Sequence, residues 1–382
     1  MQYVRLGNIS ESISRYGLGC MRLPSIILPN GKKDFDDEAS IAMIRAAIDQ
    51  GVNYLDTAYV YGRSEEIVGK ALLDGYREKV ILSTKQPMSE VTCKEDLQKF
   101  FDIELERLQT DYIDVYHLHN LHKGHWRKVL EFGALEFITE LKAKGLIRHA
   151  AFSVHERIDH LHEILAAYPW ELAMIQYNYL DKHNQMGIEG LRLIASKGIP
   201  VVVMEPLHGG LLAADVPQSV IDAFGDYEPE MSQVEKAFRW LYNQPEVSVV
   251  LSGTSSMEQL QDTLRIFEKA ETGCLSEEDE LCYDRARNEW EKMVKVPCTA
   301  CQYCMPCPVK VNIPEVFRVY NEAARDPNHN QRWLYGAILV NSSEDASQCV
   351  KCQQCVAKCP QFIDIPAKLR EAHEAITGKT LN

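Results

Sequence analysis

The sequence has no apolar run of the eighteen or so residues that a membrane-spanning helix requires, and it opens without the charged-then-apolar segment of a secretory signal. Cations are also scarce: 41 Lys and Arg stand against 55 Asp and Glu. The deficit lies before Pro297, where 32 basic side chains face 47 acidic ones. Such an acidic body repels phosphate backbones, which argues against nucleic acid as a partner. We therefore expect a cytoplasmic protein with no membrane span and no nucleic-acid partner.

Cysteine, in contrast, is concentrated in two short runs near the end of the chain. Eight of the 12 cysteines lie there: Cys298, Cys301, Cys304 and Cys307 in the first run, and Cys349, Cys352, Cys355 and Cys359 in the second. The second run has the spacing C-x2-C-x2-C-x3-C-P, which places three thiolates around one iron–sulfur cubane and sends the fourth to another. The first run differs by one residue before its last cysteine. Two such runs predict two [4Fe-4S] clusters.

The spacing also predicts which cysteines share a cluster. The first three cysteines of each run would bind one cluster, and the last cysteine of the other run would complete the set. The predicted ligand sets are Cys298, Cys301, Cys304 and Cys359 for the first cluster, and Cys349, Cys352, Cys355 and Cys307 for the second. Zinc is the alternative, because paired C-x-x-C steps also suit tetrahedral zinc. A disulfide framework is disfavoured, since cysteines at three-residue steps suit metals better than bridges.

The residues before these cysteines alternate between short apolar runs and amphipathic segments. A hairpin is predicted at residues 1–6 and 12–16, around Gly7-Asn8. Buried strands are predicted at 17–20, 53–55, 80–83, 112–116, 149–152, 173–177, 201–204 and 247–251. Helices are predicted at 39–49, 65–73, 94–108, 129–143, 158–167, 187–195, 234–242 and 258–270. Eight strands alternating with eight helices predict a (β/α)8 TIM barrel of the α/β class. An open doubly wound sheet is the alternative, but its G-x-G-x-x-G motif is missing.

Three parts of the chain follow from this pattern. Residues 1–275 would form the barrel, 276–296 a linking helix capped by Ser276, and 297–382 a small α-helical, ferredoxin-like iron–sulfur domain. Ile313-Pro314 and Ile365-Pro366 follow the two cysteine runs at similar distances. We interpret this as an internal repeat like that of bacterial two-cluster ferredoxins, with a longer insertion between the runs.

Three consecutive predicted strands end in chemically distinctive side chains. Asp56 and Tyr61 follow the second strand, Lys85 follows the third and His119 the fourth. The carboxyl ends of barrel strands meet on the face that carries the active site, so these groups should converge. A phenol titrates near pH 10 and needs a neighbouring cation to act near neutrality. Lys85 would supply that cation, and Asp56 would keep it charged.

The motifs Asp56-Thr-Ala-x-x-Tyr61-Gly-x-Ser64-Glu65 and Asp114-x-Tyr116-x-x-His119, with Lys85 between them, resemble the aldo-keto reductases. The resemblance runs from the N-terminal hairpin to about Ala270. It implies an NAD(P)H-dependent enzyme that reduces a small aldehyde, ketone or quinone-like carbonyl. In that reaction Tyr61 donates the proton, Lys85 lowers the pKa of Tyr61, Asp56 pairs with Lys85, and His119 orients the carbonyl.

Two alternatives concern the histidines of this region. His117 lies two residues before His119 on the same face of the predicted strand and could take its place. The set His117, His119, His122 and His125 could instead be a metal site, although a strand end running into a loop gives no fixed ligand geometry.

The resemblance also implies which residues bind the cofactor. Ser153, Gln176 and Tyr177 would lie beside the nicotinamide, with Tyr177 stacking on it. Met204, Pro206, Leu207, Gly209 and Leu211 would follow the pyrophosphate, and Gly253, Ser255, Gln259 and Asp262 the adenosine. Where the family usually has a basic residue for the 2′-phosphate, this chain has Gly253 and Gln259. NAD and NADP therefore both stay open.

Electron transfer between the barrel and the iron–sulfur domain poses a chemical problem, because nicotinamide passes two electrons together as hydride and cubanes pass them singly. A flavin at the barrel mouth could connect the two, although no motif demands one. Two functions stay open. In the first, an oxidoreductase uses its clusters for single-electron transfer, with a redox protein as a further partner. In the second, the barrel is a nucleotide-binding sensor or partner-docking module and the clusters are structural.

Overall fold

The computed structural model describes residues 1–6, 9–29, 31, 33–325 and 331–381. The turn predicted at Gly7-Asn8 lies outside them. By internal contacts the chain forms two compact units. The first unit comprises Met1–Pro206 and Glu235–Cys274, and the second comprises Leu207–Val234 and the chain from Leu275 onward. None of the described helices is both long and apolar enough to cross a membrane.

The strands all lie in the first unit. They are β1 (Tyr3–Leu6), β2 (Ile9–Ser14), β3 (Tyr16–Gly19), β4 (Ser25–Ile27), β5 (Lys33–Phe35), β6 (Tyr54–Asp56), β7 (Ile81–Gln86), β8 (Ile113–Leu118), β9 (Ile147–Val154), β10 (Leu172–Gln176), β11 (Val201–Met204) and β12 (Val247–Ser252). Strands β3 and β6 to β12 pair in parallel, and β12 returns to β3 to close the barrel. The predicted eight-stranded barrel is confirmed.

Two antiparallel hairpins accompany the barrel. The predicted β1–β2 hairpin is present, and its Ile13 belongs to the same buried cluster as Tyr54, Val115 and Met174 of the barrel interior. The hairpin therefore closes one end of the barrel. The second hairpin, β4–β5, was not predicted. Each of its strands has only three residues, and Ile26 and Ile27 are adjacent and both exposed, so no alternation of buried and exposed residues marks the hairpin.

The α-helices, in chain order, are α1 (Asp37–Asp49), α2 (Ser64–Ala71), α3 (Glu95–Leu108), α4 (Lys123–Phe132), α5 (Ala134–Ala143), α6 (Leu161–Ala167), α7 (Gly187–Ser196), α8 (Gln218–Ala223), α9 (Gln233–Tyr242), α10 (Met257–Phe267), α11 (Glu277–Met293), α12 (Ile313–Arg325), α13 (Gln331–Tyr335) and α14 (Ile365–Thr377). The helix predicted at 129–143 is two helices. Gly133 separates them in the left-handed conformation, at φ 73°, which glycine adopts without steric cost.

Strand alternation decides which side chains enter the barrel. The interior cluster contains every second residue of several strands, including Leu172 and Met174 of β10. The same alternation places Gln176 inward on β10. By that parity Asp56, Lys85, His117, Ser153 and Met204 also face inward at the carboxyl ends of their strands. The site residues thus share the face on which barrel enzymes carry their chemistry.

The second unit is helical and has its own core. Val316, Phe317, Leu339 and Ile365 are buried in one cluster, and cysteines of both runs pack against it. Ser276 and Asp279 form a capping box at the start of α11, as the Ser276 cap predicted.

Leu207–Val234, which the sequence assigned to the barrel domain, belongs to this second unit. The Arg285 Nε of α11 donates to the Ala223 carbonyl of α8 at 3.0 Å. The ring of Tyr283 lies 5.2 Å from that of Phe224 and 5.6 Å from that of Tyr227. Aromatic packing against α11 therefore holds this segment.

Candidate functional site

A buried ion pair lies at the ends of β6 and β7. The Lys85 Nζ donates to the Asp56 Oδ2 and to the Thr57 carbonyl, each at 2.7 Å. The Ser83 hydroxyl donates to the other Asp56 oxygen at 2.9 Å. Lys85 is 1% exposed and Asp56 4%. Burial raises the pKa of Asp56 above its ordinary value, and the positive charge of Lys85 opposes that rise.

Tyr61 and His119 lie beside this pair. The Lys85 Nζ is 5.1 Å from the centre of the Tyr61 ring. The rings of Tyr61 and His119 are 6.2 Å apart and nearly perpendicular, at 86°. The structure thus brings together all four predicted catalytic side chains. Burial, and then the charge of Lys85, lower the pKa of His119 well below its ordinary value. Its imidazole is therefore neutral at neutral pH, with one N–H to donate.

The two alternative histidine hypotheses find less support. His117 is fully buried one layer deeper, and burial lowers its pKa to about 3. The His122 Nδ1 accepts from the Gly124 amide, and the His125 Nδ1 bonds the Asn120 carbonyl at 2.8 Å. Within the described ranges, these four histidines are not grouped to hold a metal ion. His122 and His125 instead hydrogen-bond to the backbone of the segment that follows β8.

A polar network that the sequence did not predict lies behind Lys85 and Tyr61. The Arg107 Nη1 of α3 lies 3.3 Å from the Glu65 Oε2 and 3.4 Å from the Tyr59 carbonyl, to which it donates. Its guanidinium also stacks 4.2 Å from the centre of the Tyr59 ring. The Thr84 hydroxyl donates to the Glu65 Oε1 at 2.7 Å. The network joins the residue before Lys85 to the loop that carries Tyr61.

Another buried carboxyl, Glu104, adjoins this network. The Tyr116 hydroxyl lies 2.7 Å from both the Glu104 Oε2 and the Gln86 Oε1. One phenolic proton cannot serve two acceptors, and a protonated Glu104 satisfies both contacts. Burial and the neighbouring charge of Glu65 raise the pKa of Glu104 well above its ordinary value. Glu65 is therefore the charged partner of Arg107.

Two of the predicted nicotinamide residues occupy the inner face of the barrel. The Ser153 hydroxyl accepts the Asn120 amide at 2.9 Å. The Gln176 carboxamide donates to Asp181 at 2.8 Å and accepts from Gln185 at 3.2 Å. Both side chains are held in place by the ends of neighbouring strands and their loops.

The third of these predicted residues, Tyr177, packs against α9. It follows Gln176 directly, so alternation turns it to the outer face of the barrel. Its ring lies 5.0 Å from that of Trp240 in α9, and its hydroxyl donates to Gln244 at 3.0 Å. Tyr177 is fully buried in these contacts. The structure thus places Tyr177 between the barrel and α9, and its stacking on the nicotinamide stays a prediction.

The remaining predicted cofactor residues are divided between the two units. Met204 and Pro206 end the β11 segment of the first unit, whereas Leu207, Gly209 and Leu211 belong to the second. In the second unit, a Cβ on Gly209 would lie 2.5 Å from the Thr299 carbonyl oxygen. Only glycine fits there, and its φ of 68° also favours glycine.

The predicted adenosine residues lie at the start of α10. The Ser255 amide donates to the Gln259 side chain at 2.8 Å, and the Ser255 hydroxyl donates to the Arg22 carbonyl at 2.8 Å. Asp262 accepts from the Arg265 guanidinium at 2.9 Å. Glu235 also accepts from that guanidinium. Gly253 directly follows β12, in the segment that leads to α10. The one arginine of this helix is thus already paired with two carboxylates.

The cysteines form two groups within the second unit. Burial, and then the neighbouring Cys301, Cys298 and Cys359, raise the pKa of the Cys304 thiol to about 12. Burial likewise raises the pKa of Cys355 to about 11, with Cys349, Cys307 and Cys352 as its neighbours. These are the two predicted ligand sets. A cavity is lined by all four cysteines of the second set.

The backbone around the second cysteine of each run repeats. Ala300 and Gln302 flank Cys301 at φ 52° and 69°, and Lys351 and Gln353 flank Cys352 at φ 57° and 64°. Left-handed residues alternating with ordinary ones turn successive N–H groups into a concave nest, which suits the sulfur atoms of an iron–sulfur cluster. The two runs therefore share one loop geometry, and donor type and backbone both fit cubanes.

Comparison with known proteins gives matches over both parts of the chain. Residues 17–273 match the model of the Aldo/keto reductase family, and residues 297–363 match that of the 4Fe-4S dicluster domain. An uncharacterized oxidoreductase, YqkF, of Bacillus subtilis is 29% identical over 300 residues, which cover 69% of this chain and 90% of that protein. The NADH-specific methylglyoxal reductase of Escherichia coli is 28% identical over 313 residues, covering 69% and 93%.

Solved structures agree with these sequence matches. The holo form of aldo-keto reductase AKR11C1 from Bacillus halodurans superposes with a TM-score of 0.62 at 26% identity. The alignment covers 75% of this chain and 96% of that one.

Proposed function

The chain belongs to the aldo/keto reductase family, and on that premise we propose that its barrel reduces the carbonyl group of a small molecule with a nicotinamide cofactor. The observation that carries the proposal is the buried Lys85–Asp56 pair, which lies beside Tyr61 and His119 at the carboxyl ends of three neighbouring strands. A buried cation next to a phenol serves proton transfer better than it serves packing.

Each of the four side chains has a role in this proposal. A bound nicotinamide supplies the hydride. Negative charge then grows on the carbonyl oxygen, where the neutral imidazole of His119 donates a hydrogen bond and Tyr61 donates the proton. Lys85 stabilises the phenolate that Tyr61 becomes, and Asp56 holds Lys85 in its charged form. Ser153 and Gln176 would orient the nicotinamide.

We further propose that NADH is the preferred cofactor. Positions 253 and 259 carry no positive charge for a 2′-phosphate, and Arg265 is engaged by Asp262 and Glu235. A 2′-phosphate near these carboxylates would be repelled. Titrating the protein with NADH and NADPH, followed by nicotinamide fluorescence, compares the two affinities directly. Tighter binding of NADPH would contradict this part of the proposal.

Two [4Fe-4S] clusters and single-electron transfer complete the proposal. The two cysteine groups and the repeated loops support two cubanes rather than zinc. A flavin between hydride and single-electron chemistry is retained as a prediction. Iron, sulfide, zinc and flavin assays on anaerobically purified protein test the two clusters and the flavin. Electron paramagnetic resonance (EPR) with added NADH tests the single-electron transfer. Zinc without iron would contradict the cluster assignment.

The variant Tyr61→Phe tests the catalytic assignment. Loss of the proton donor should lower kcat about 100- to 10,000-fold with methylglyoxal, the aldehyde that one relative is named for. NADH affinity should stay within about twofold, because the ring remains. Tyr76→Phe is the control, since that hydroxyl bonds only a surface carboxylate, Asp49, among the contacts described. Unchanged turnover in Tyr61→Phe, with an active parent protein, would overturn the assignment.

A further inference from the structure

The second predicted cluster site is the more exposed of the two. Cys352 is the exposed cysteine among the eight, whereas the other seven are partly buried. The whole stretch from Val350 to Gln354 is exposed, and Val350 retains 63% of its surface. The ligands of the first set have no comparable stretch. A cluster bound by Cys352 would therefore lie close to the protein surface.

Apolar and basic residues surround this cysteine. Pro306, Pro308, Val350 and Lys358 line the cavity of the second cysteine set, and no acidic side chain is among its lining residues. Lys351 lies between Val350 and Cys352 and is exposed. We name these residues, Pro306, Pro308, Val350, Lys351, Cys352 and Lys358, the second-cluster face. An apolar centre with a charged rim is typical of transient protein interfaces.

The charge of this face is opposite to that of the chain as a whole. Residues 297–314 and 346–363 contain Lys310, Lys351 and Lys358 and no Asp or Glu, whereas the chain has a net charge of −14. A negatively charged protein would be repelled by most of this molecule and attracted to this face. Such contrast steers encounters to one orientation and raises the association rate.

We propose that the second-cluster face docks a small acidic protein that carries single electrons, and that electrons enter the chain there, close to Cys352. The proposal rests on the second cluster of the proposed function. In each encounter the reduced carrier loses one electron and the oxidised cluster gains it, with no bond made or broken. A small, weakly held interface suits such a reaction, because the carrier must leave after each transfer.

The test uses the anaerobic full-length protein with both clusters. The probe is an acidic flavodoxin in its hydroquinone form, mixed in a stopped-flow instrument while cluster absorbance is followed. The variant is Lys351→Glu/Lys358→Glu, with Lys351→Arg/Lys358→Arg as its charge-conserving counterpart. Lys197→Glu/Lys269→Glu, at two exposed lysines of the first unit, makes the same change in net charge and is the control. EPR spectra of each dithionite-reduced variant show whether its clusters are intact.

We expect the second-order rate constant with flavodoxin to fall at least tenfold in the Glu variant at low salt. The difference should shrink at high salt, and both the Arg variant and Lys197→Glu/Lys269→Glu should behave like the parent. Reduced methyl viologen, a small cation, should reduce the Glu variant no more slowly than the parent. Equal flavodoxin rates in the parent and the Glu variant, or an equal loss with viologen, would overturn the proposal. Carbonyl turnover with NADH, measured on the same samples, separates this outcome from failure of the proposed function.

Discussion

Among the individual residues of the site, Lys85 and Asp56 form the contact most sensitive to change. Each is nearly without solvent contact, and each is the oppositely charged partner of the other at 2.7 Å. A buried pair of this kind adds little net stability compared with apolar residues, but removing one partner leaves an uncompensated charge. The pair is therefore better explained by proton chemistry at Tyr61 than by stability.

The variant Lys85→Met should lower the free energy of unfolding of the barrel by about 3 to 5 kcal/mol, because Asp56 then lacks its cation. Adding Asp56→Asn should recover most of that loss without restoring turnover. Native-state hydrogen exchange on β6 and β7 measures both changes. A double variant as unstable as Lys85→Met alone would show that the loss comes from packing instead of charge.

At the scale of single elements, Arg107 of α3 connects β7 to the loop of Tyr61. It donates to the Tyr59 carbonyl and pairs with Glu65, which in turn accepts from Thr84. A residue that fixes the backbone two positions from a proton donor can affect catalysis without touching substrate, since small displacements of reacting groups are costly. Arg107 is thus a positioning residue.

The variant Arg107→Met should lower kcat about 10- to 100-fold while NADH affinity stays unchanged. Arg107→Lys should restore the charge beside Glu65 but not the flat guanidinium over Tyr59, so its stability should recover more than its kcat. The pH dependence of kcat should shift in both variants, because a change in the distance between Tyr61 and Lys85 would change how strongly the lysine charge stabilises a phenolate. Arg45→Met, at a surface site bonded to Asp74, is the control. An unshifted pH profile would contradict the positioning role.

Much of the barrel could be predicted from the sequence because buried parallel strands are short apolar runs and their helices have an apolar face. All eight barrel strands were found this way, and the four candidate catalytic side chains were predicted because they follow the ends of three of these strands. The Glu65–Arg107 contact could not be predicted, because its members lie on different elements and no periodic pattern links them. The packing of Tyr177 against Trp240 was not predicted either, because the end of β10 determines which face residue 177 occupies, and strand ends can be read from a sequence only approximately.

At the scale of the whole first unit, several histidines are buried in their neutral form. Burial lowers the pKa of His117 and of His125 to about 3, and that of His155 to about 4, from an ordinary value near 6.5. An unfolded chain takes up these protons more readily than the folded one. Their contribution to stability is therefore complete above pH 6.5 and is lost as the pH falls toward the folded-state values.

The contribution of these histidines to the free energy of unfolding should thus fall below pH 6.5, by up to about 1.4 kcal/mol per pH unit for each histidine, while the raised pKa of Glu104 acts in the opposite direction. Urea unfolding at several pH values, followed by hydrogen-exchange mass spectrometry on β8 and β9, measures the slope. His155→Gln should reduce the change in the free energy of unfolding per pH unit by the contribution of one histidine. His183→Gln, at an exposed side chain, should leave this pH dependence unchanged. An unchanged slope in His155→Gln would contradict this assignment.

The division of the chain into two units has a consequence for the iron–sulfur site. The segment Leu207–Val234 belongs to the same unit as the cysteines, and its Gly209 fits against the backbone of Thr299, between the predicted ligands Cys298 and Cys301. A change at Gly209 should therefore be transmitted to the first cluster and not to the second. Gly209, one of the residues that the sequence assigned to the pyrophosphate, thus lies against a predicted cluster loop.

Gly209→Ala places a methyl group 2.5 Å from the Thr299 oxygen, so one backbone must move. We expect the EPR signal of the first cluster to broaden or disappear, with that of the second unchanged. Gly210→Ala is the matched control, because Gly210 has a positive φ of 97° but open space around its Cβ position. Both variants share the strain of alanine in that conformation, and only Gly209→Ala adds the clash. Equal effects of the two variants would mean that backbone strain, and not the contact with Thr299, connects this loop to the cluster.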